Sequence, residues 1–268
     1  MFAFYTKYLK CIVEVIILGY TPIVDLSSFS NIFNKLNVSS INFNPWEIFF
    51  NQPFGYKLKD VKTNGKNLRY IDCKKLKLIK MKDIFINKVL MDFWHYMALK
   101  YIPIKNEIII ESKKISKKLF KNSNNILGIL ARGTDYISSK PSKHAIPPSP
   151  KIIFKDIKNM NKINKYDYYF LSTEDEIIRK KFIYKFKNKL KYIKYNESIN
   201  FNYINKKRLI YNKIVCGNLN FMKIYLINII ILSKCIDILS ARTFGSKGIF
   251  ILSKGFRYSK VYNLGYYK

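Results

Sequence analysis

The run Leu127-Gly-Ile-Leu-Ala-Arg-Gly-Thr-Asp-Tyr136 constrains this chain more than any other stretch of it. An apolar segment of this length without polar alternation reads as a strand buried on both faces, and such strands belong to parallel sheets covered by helices. Arg132 follows at its carboxyl end. That is where open α/β sheets hold phosphate, and a guanidinium can grip a diphosphate through two parallel hydrogen bonds.

The residues that follow alternate strand and helix as a parallel sheet requires. Strands are expected at Ile126 to Ala131, Tyr168 to Thr173, Leu190 to Tyr195, Ile236 to Ser240 and Lys260 to Leu264. A helix through Ile153, Ile157 and Met160 follows Pro147-Pro-Ser-Pro150. Another carries Ile178, Phe182, Phe186 and Leu190 as one buried stripe, with Glu174-Asp175-Glu176 in its first turn, where acids suit the helix dipole. Met222 to Lys234 gives a third.

The N-terminal part has a different rhythm. Phe2 to Ile17 has helical spacing and Gly19 stops it, after which Thr21-Pro-Ile-Val-Asp25 reads as a short buried strand. Residues 51–56 read as a turn. Apolar residues return at three- and four-residue spacing from Met81 to Phe120, broken by Pro103. The domain boundary is expected near residue 123, giving two α/β units, 1–123 and 124–268.

The formal charge of +32 invites a nucleic-acid reading. Only six of the 49 basic residues are Arg, however, and the lysines run from end to end beside abundant Asn, Ile, Tyr and Phe, while Ala occurs five times. These are the marks of A/T-rich codons. A basic patch signals nucleic acid when it clusters on one element, so no specific nucleic-acid partner is expected. The charge still favours peripheral adhesion to an anionic membrane surface.

Cys11, Cys73, Cys216 and Cys235 are widely spaced and histidines do not cluster, so neither a disulfide framework nor a metal site is indicated and a reducing, cytoplasmic setting is expected. The apolar run Cys11 to Leu18 carries Glu14 and lacks a small-residue cleavage site after it, so no secretory signal is expected, and the run Ile224 to Leu232 is too short to span a bilayer.

Three blocks resemble the signature motifs of the α-1,6-fucosyltransferase and protein O-fucosyltransferase superfamily in its bacterial glycosyltransferase version. They are Gly128 to Tyr136 with Lys140-Pro-Ser-Lys-His144, Phe170-Leu-Ser-Thr-Glu-Asp175, and Leu232 to Ser246. Gly19 to Asp25 and Asn44 to Tyr56 are also similar to that group. The resemblance implies a GT-B-like architecture of two Rossmann-like domains with a cleft between them, the donor on the C-terminal one and the acceptor on the N-terminal one. It further implies inverting, metal-independent transfer from a nucleotide-sugar, GDP-fucose, to a glycan acceptor, with no cofactor.

By that resemblance Arg132 holds the β-phosphate and stabilises the leaving GDP, a role that suits a fixed cation in a dry cleft. Asp135 either orients Arg132 or caps the next turn, and Thr134 either donates to a phosphate or forms a turn. Thr173, Glu174 and Asp175 close the second strand and reach base, ribose or sugar, or else cap a helix. Arg242, Thr243 and Ser246 supply a second scarce arginine and a glycine-containing turn before a helix whose N–H groups face an anion. Asp237 is the candidate for base recognition, and His144 either contacts the donor or is a buried hydrogen-bonding residue.

Departures from the pattern are also visible. Leu130 and Gly133 stand where the eukaryotic α-1,6 enzymes carry His and a second Arg, and Lys140 stands where they carry the carboxylate proposed as general base. Ile236 stands where an acid usually follows the cysteine, with Asp237 one step late, and the first strand with its glycine turn is expected to be missing before Met1. An inactive or truncated nucleotide-sugar-binding remnant is therefore the alternative reading.

Overall fold

β1 (Ile126–Leu130) is buried at every position, and so is β4 (Asp237–Ala241) beside it. In the computed structural model, which describes residues 2–27, 44–59, 61, 68–72, 75–76, 79, 81, 84–133, 135–138, 140–194 and 219–268, these two strands form the centre of a five-stranded parallel sheet. Its order is β3-β2-β1-β4-β5, where β2 is Tyr168–Ser172, β3 is Leu190–Lys191 and β5 is Tyr258–Tyr262. The order reverses direction between β1 and β4. Such a reversal opens a crevice at the carboxyl ends of the two strands, because the connecting helices leave to opposite faces.

Alternation along β1 sends Leu127 and Ile129 to one face and Ile126 and Leu130 to the other. The first face is covered by α5 (Pro150–Ile163) and α6 (Glu176–Phe186), which bury Ile153, Ile157, Met160, Ile178 and Phe182 there. The opposite face is covered by α7 (Leu219–Leu232) and α8 (Phe244–Leu252). α7 buries residues around most of its circumference, as a helix does when something also covers its back. That cover comes from the N-terminal part: α3 (Asn106–Phe120) packs on α7, while α1 (Phe2–Ile17) and α2 (Lys88–Tyr101) pack on α8. Tyr5, Leu9, Trp94 and Phe120 thus share one apolar core with Ile229, Ile238 and Phe250. Gly128 permits the close seat of α7, since a methyl group there would stand 3.0 Å from Leu232 and 3.1 Å from the Cys235 Cβ.

The helical expectations for the N-terminal part hold in part: α1 forms as expected, but the helical region expected from Met81 begins as helix only at Lys88, after a turn at residues 84–86, and the break between α2 and α3 lies at residues 102–105 around Pro103. α1 ends at Gly19, whose φ of 81° lets its N–H reach the Ile16 carbonyl while Tyr20 N–H reaches Val15. The expected strand over Thr21 to Asp25 does not form. Among the described residues of 1–123 the only strand-like pairing is the antiparallel bridge Phe50 to Ile104.

Side-chain amides replace the strand neighbour. Gln52 Oε1 accepts from Val24 N–H at 2.9 Å, and Gln52 Nε2 and Asn44 Nδ2 both donate to the Val24 carbonyl, at 2.9 and 2.7 Å. Asn44 Oδ1 also accepts from Leu26 N–H at 3.1 Å. All of these groups are buried, so the two N-terminal sequence blocks clasp each other by satisfying backbone groups that water cannot reach. Cys11 and Cys235 are buried, whereas Cys73 and Cys216 lie outside the described residues. No helix among the described residues is long and apolar enough to cross a membrane.

Gln52→Leu leaves the Val24 N–H buried without its acceptor, a loss of about 1–3 kcal/mol. Urea unfolding of wild type and variant measures it, and equal midpoints would show that the clasp contributes nothing.

Candidate functional site

The register of the sheet sets the site. Leu130 lies beside Ser172 on one flank and Ser240 on the other, so the three chains leave the carboxyl edge at one level as Arg132, Thr173-Glu174-Asp175 and Arg242-Thr243. Adjacent strands are about 4.8 Å apart, which brings residues from three separate sequence blocks onto one short edge.

Arg132 is largely buried, its side chain 19% exposed, and its Nη1 lies 3.4 Å from Glu174 Oε2. Glu174 Oε1 accepts from the Gly133 N–H at 3.2 Å, so a single carboxylate ties the turn after β1 to the turn after β2. The guanidinium also lies over the Tyr136 ring at 4.6 Å from its centroid, and the His144 imidazole meets the same ring edge-on at 5.4 Å. The arginine is therefore held in direction by a carboxylate and an aromatic face, both favourable to a planar cation. Asp135 opens the short helix α4 (Asp135–Ser138), and Thr134 lies outside the described residues.

Asp175 is the N-cap of α6: its Oδ1 accepts from Ile178 N–H at 2.9 Å, and its own N–H donates to Thr173 Oγ1 at 3.1 Å. Of the two roles open to these residues, the structure gives Asp175 and Thr173 the capping one. Glu174 is the acid that faces the arginine. Gly133 lies against Asp175 so closely that a methyl group there would stand 2.5 Å from the Asp175 Cβ.

On the other flank Thr243 is the N-cap of α8, its Oγ1 accepting from Ser246 N–H at 3.2 Å. Helix α8 begins at Phe244, inside the expected turn. Its first-turn N–H groups at Phe244 and Gly245 are the donors that a helix start leaves for a ligand, reinforced by the positive end of the dipole. Gly245 packs under Tyr225, whose hydroxyl would lie 2.6 Å from an added Cβ. Arg242 is half-buried with its guanidinium 5.8 Å from the Phe85 ring centroid, and Phe85 in turn packs edge-on against Phe250.

Lys247, one turn into α8, adds a further cation. Burial, and then repulsion from Arg242, hold its ammonium below the ordinary lysine range. Its Nζ lies 5.3 Å from the Phe244 ring centroid. Arg132, Arg242 and Lys247 thus belong to the elements on either side of the point where strand order reverses.

Three expected site residues take other places. Asp237 opens β4 at the amino end of the sheet, paired with Leu127, and so faces away from the edge that carries Arg132. It is fully buried there, receiving hydrogen bonds from Arg257 Nη2 at 2.6 Å, Arg257 Nε at 3.2 Å, Tyr258 N–H at 2.9 Å and the Tyr166 hydroxyl. This network pins β4 to β5, and desolvation and the Asp237 charge push the Tyr166 phenol up. Ser246 is also fully buried, its hydroxyl bonded to the Ala241 carbonyl and to Thr243, which commits it to the strand-to-helix turn. His144 is exposed rather than buried, with Nδ1 3.0 Å from the Ser142 carbonyl oxygen.

Tyr136, Phe85 and Lys247 are the residues that sequence reasoning did not assign. Tyr136 ends the first block and Lys247 lies one helical turn after Thr243, so spacing could have found both. Phe85 is distant in sequence from Arg242, and only the packing of α2 on α8 brings it there.

No protein-family model matches the chain, and no curated protein matches it. Solved structures do match. Fucosyltransferase NodZ from Bradyrhizobium superposes with a TM-score of 0.54 over 91% of this chain and 87% of that chain, at 10% identity. NodZ α-1,6-fucosyltransferase co-crystallized with GDP gives a TM-score of 0.53 over 91% of this chain and 86% of that chain, at 11% identity. Against NodZ soaked with GDP-fucose the match narrows to 59% of this chain and 46% of that chain, with a TM-score of 0.40 at 12% identity.

Gly133→Ala forces the two turns apart and is expected to cost about 1–3 kcal/mol by overpacking. Chemical denaturation measures this, and a variant as stable as wild type would mean that the Asp175 cap yields freely. On its sheet topology and superposition, the chain has the fold of the NodZ α-1,6-fucosyltransferase structures.

Proposed function

We propose that this protein is a glycosyltransferase of the fucosyltransferase type, which transfers fucose from GDP-fucose to a glycan acceptor with inversion and without a metal ion. The observation that carries the reading is the convergence of Arg132, Arg242 and the start of α8 on the switch point of a parallel sheet. Support comes from the shared fold and from the GDP complex of one structural neighbour.

In this reading residues 124–268 seat the donor and residues 1–123 face the acceptor. Arg132 binds the β-phosphate, while Arg242, Lys247 and the N–H groups at the start of α8 surround the rest of the diphosphate. As the acceptor hydroxyl oxygen bonds to the anomeric carbon and its proton passes to solvent, the bond from that carbon to the β-phosphate oxygen breaks and its electron pair leaves with GDP. Charge grows on the diphosphate during this step, so cations already fixed at the edge stabilise the transition state more than the ground state. Glu174 and Tyr136 keep Arg132 aimed, which removes the cost of reorganising it during the reaction. Glycan acceptors and a peripheral position on an anionic membrane surface belong to the same proposal.

A nucleotide-sugar binder without transfer is the second reading. It is favoured by Lys140, which is exposed and stands where the resemblance expects a carboxylate base.

Calorimetric titration with GDP, and UDP as control, tests the donor seat. Selective GDP binding that weakens more than tenfold in Arg132→Ala is expected, and a folded protein that binds neither nucleotide would overturn both readings. Formation of a fucosylated product from GDP-fucose then separates the enzyme from the inactive binder.

The depressed Lys247 also gives the site a pH signature. A bound diphosphate favours the charged ammonium, so GDP affinity falls as pH rises through the lowered pKa toward the ordinary lysine range. Lys247→Arg, charged throughout, flattens the profile. Stability of the unliganded protein moves the other way: in that window the unfolded chain binds more protons than the folded one, so stability rises with pH. An alkaline profile of GDP affinity identical in wild type and variant would remove Lys247 from the diphosphate seat.

A further inference from the structure

The lysines of this chain are scattered in sequence, but the fold gathers a group of them on one face. Lys151, Lys155, Lys158 and Lys162 recur along α5 at intervals of four and three residues, so they stand one above another as a stripe, and all are exposed. On α6 the exposed Lys180, Lys181 and Lys185 extend this face, because α5 and α6 lie side by side over the same side of the sheet. A shallow groove between the two helices is lined by Phe154, Tyr184 and these three α6 lysines.

The acids of the two helices are already engaged. Asp156 is held by Lys260 Nζ at 2.8 Å and by the Tyr262 hydroxyl at 2.7 Å. Glu176 pairs with Arg179 and lies 3.8 Å from Lys180. Arg179 in turn lies over Tyr192, 5.7 Å from the ring centroid, with its side chain only 18% exposed. The outward positive charge of these helices is therefore carried by lysine.

Apolar side chains stand out among the lysines. Ile177 is 67% exposed and Tyr184 86%, and at their spacing on α6 they form one ridge beside Lys180 and Lys181. Ile163, the last residue of α5, is 84% exposed. This mixture selects among polyanions. A nucleic acid offers phosphates to the lysines but no apolar layer to Ile163 and Ile177, and its bases are read largely by arginine and amides. An anionic bilayer offers both, with charged head groups at its surface and an apolar boundary just beneath, where a tyrosine ring sits with its hydroxyl in water.

We infer that the outward face of α5 and α6 docks this protein on an anionic lipid bilayer, with the lysines on the head groups and Ile177 and Tyr184 at the edge of the acyl region. The inference rests on the peripheral membrane position proposed above and gives it a surface. Helix α6 begins two residues after Glu174, so the docked face runs up to the edge of the sheet that carries Arg132.

The test is sedimentation of the full chain with phosphatidylcholine vesicles, with and without phosphatidylserine, at physiological salt. Binding is expected only where phosphatidylserine is present. Lys181→Gln together with Lys185→Gln is expected to weaken it more than tenfold, at about fivefold for each lysine. Ile177→Ser together with Tyr184→Ser, at exposed positions that leave the core intact, is expected to weaken it at least about fivefold. Lys114→Gln with Lys118→Gln removes equal charge from exposed positions of α3, on the opposite side of the molecule, and is expected to leave vesicle binding unchanged. GDP titration is expected to be the same in wild type and all three variants, so failure of docking and failure of the donor seat are read separately. Absence of binding to phosphatidylserine vesicles overturns the inference together with the membrane position. Equal losses from the α3 pair overturn this face alone. Duplex DNA bound more tightly than vesicles, with indifference to Ile177→Ser and Tyr184→Ser, would overturn it in favour of a nucleic-acid surface.

Discussion

The constraint on which the rest of this molecule depends is that β1 and β4 are buried on both faces. A parallel strand in that position cannot leave either side to water, so the sheet requires helices above and below. Two helices suffice on the side of α5 and α6. On the other side α7 is itself apolar around its circumference and needs covering in turn, and α1, α2 and α3 supply that cover. The N-terminal part is therefore a third layer of the same core, and its Phe85 reaches Arg242 because of that packing.

The two ends of the sheet are treated differently by their charges. At the amino end Asp237 is saturated by Arg257, Tyr258 and Tyr166, and every donor it meets belongs to the protein. Such a network fixes neighbouring strands and offers little to a ligand. At the carboxyl edge the charges are unevenly placed: Arg132 has Glu174, but Arg242 and Lys247 lie close enough to repel each other. Repulsion between like charges on a folded edge is unfavourable until an anion joins them. This asymmetry, more than the overall charge of the chain, distinguishes the two ends of the sheet.

Much of this arrangement was legible in the sequence where burial is two-sided. β1, β2 and β4 fall within one residue of their expected positions because continuous apolar runs leave few alternatives. β5 begins two residues earlier than expected, since Tyr258 is exposed on an edge strand and gives no apolar signal. The segment at Val24 has the composition of a strand, but its partners are the amides of Asn44 and Gln52, and composition says nothing about distant side chains. Asp237 and Ser246 do not join Arg132 for geometric reasons: strand register decides which end of a sheet a residue occupies, and helix phase decides whether a serine near a helix start faces out or in. The candidate arginines were legible because each directly follows a buried strand in a chain that otherwise uses lysine.

The ion pair between Arg132 and Glu174 has one further consequence. A cation seat that waits empty normally recruits mobile ions from solution, and a ligand must displace them. Here the resident Glu174 carboxylate, 3.4 Å from Arg132 Nη1 and bonded to the Gly133 N–H, already balances the arginine as a tethered counter-ion. The electrostatic state of this arginine therefore depends less on the surrounding electrolyte than the chain's excess of lysine suggests, because its counter-charge is built into the protein.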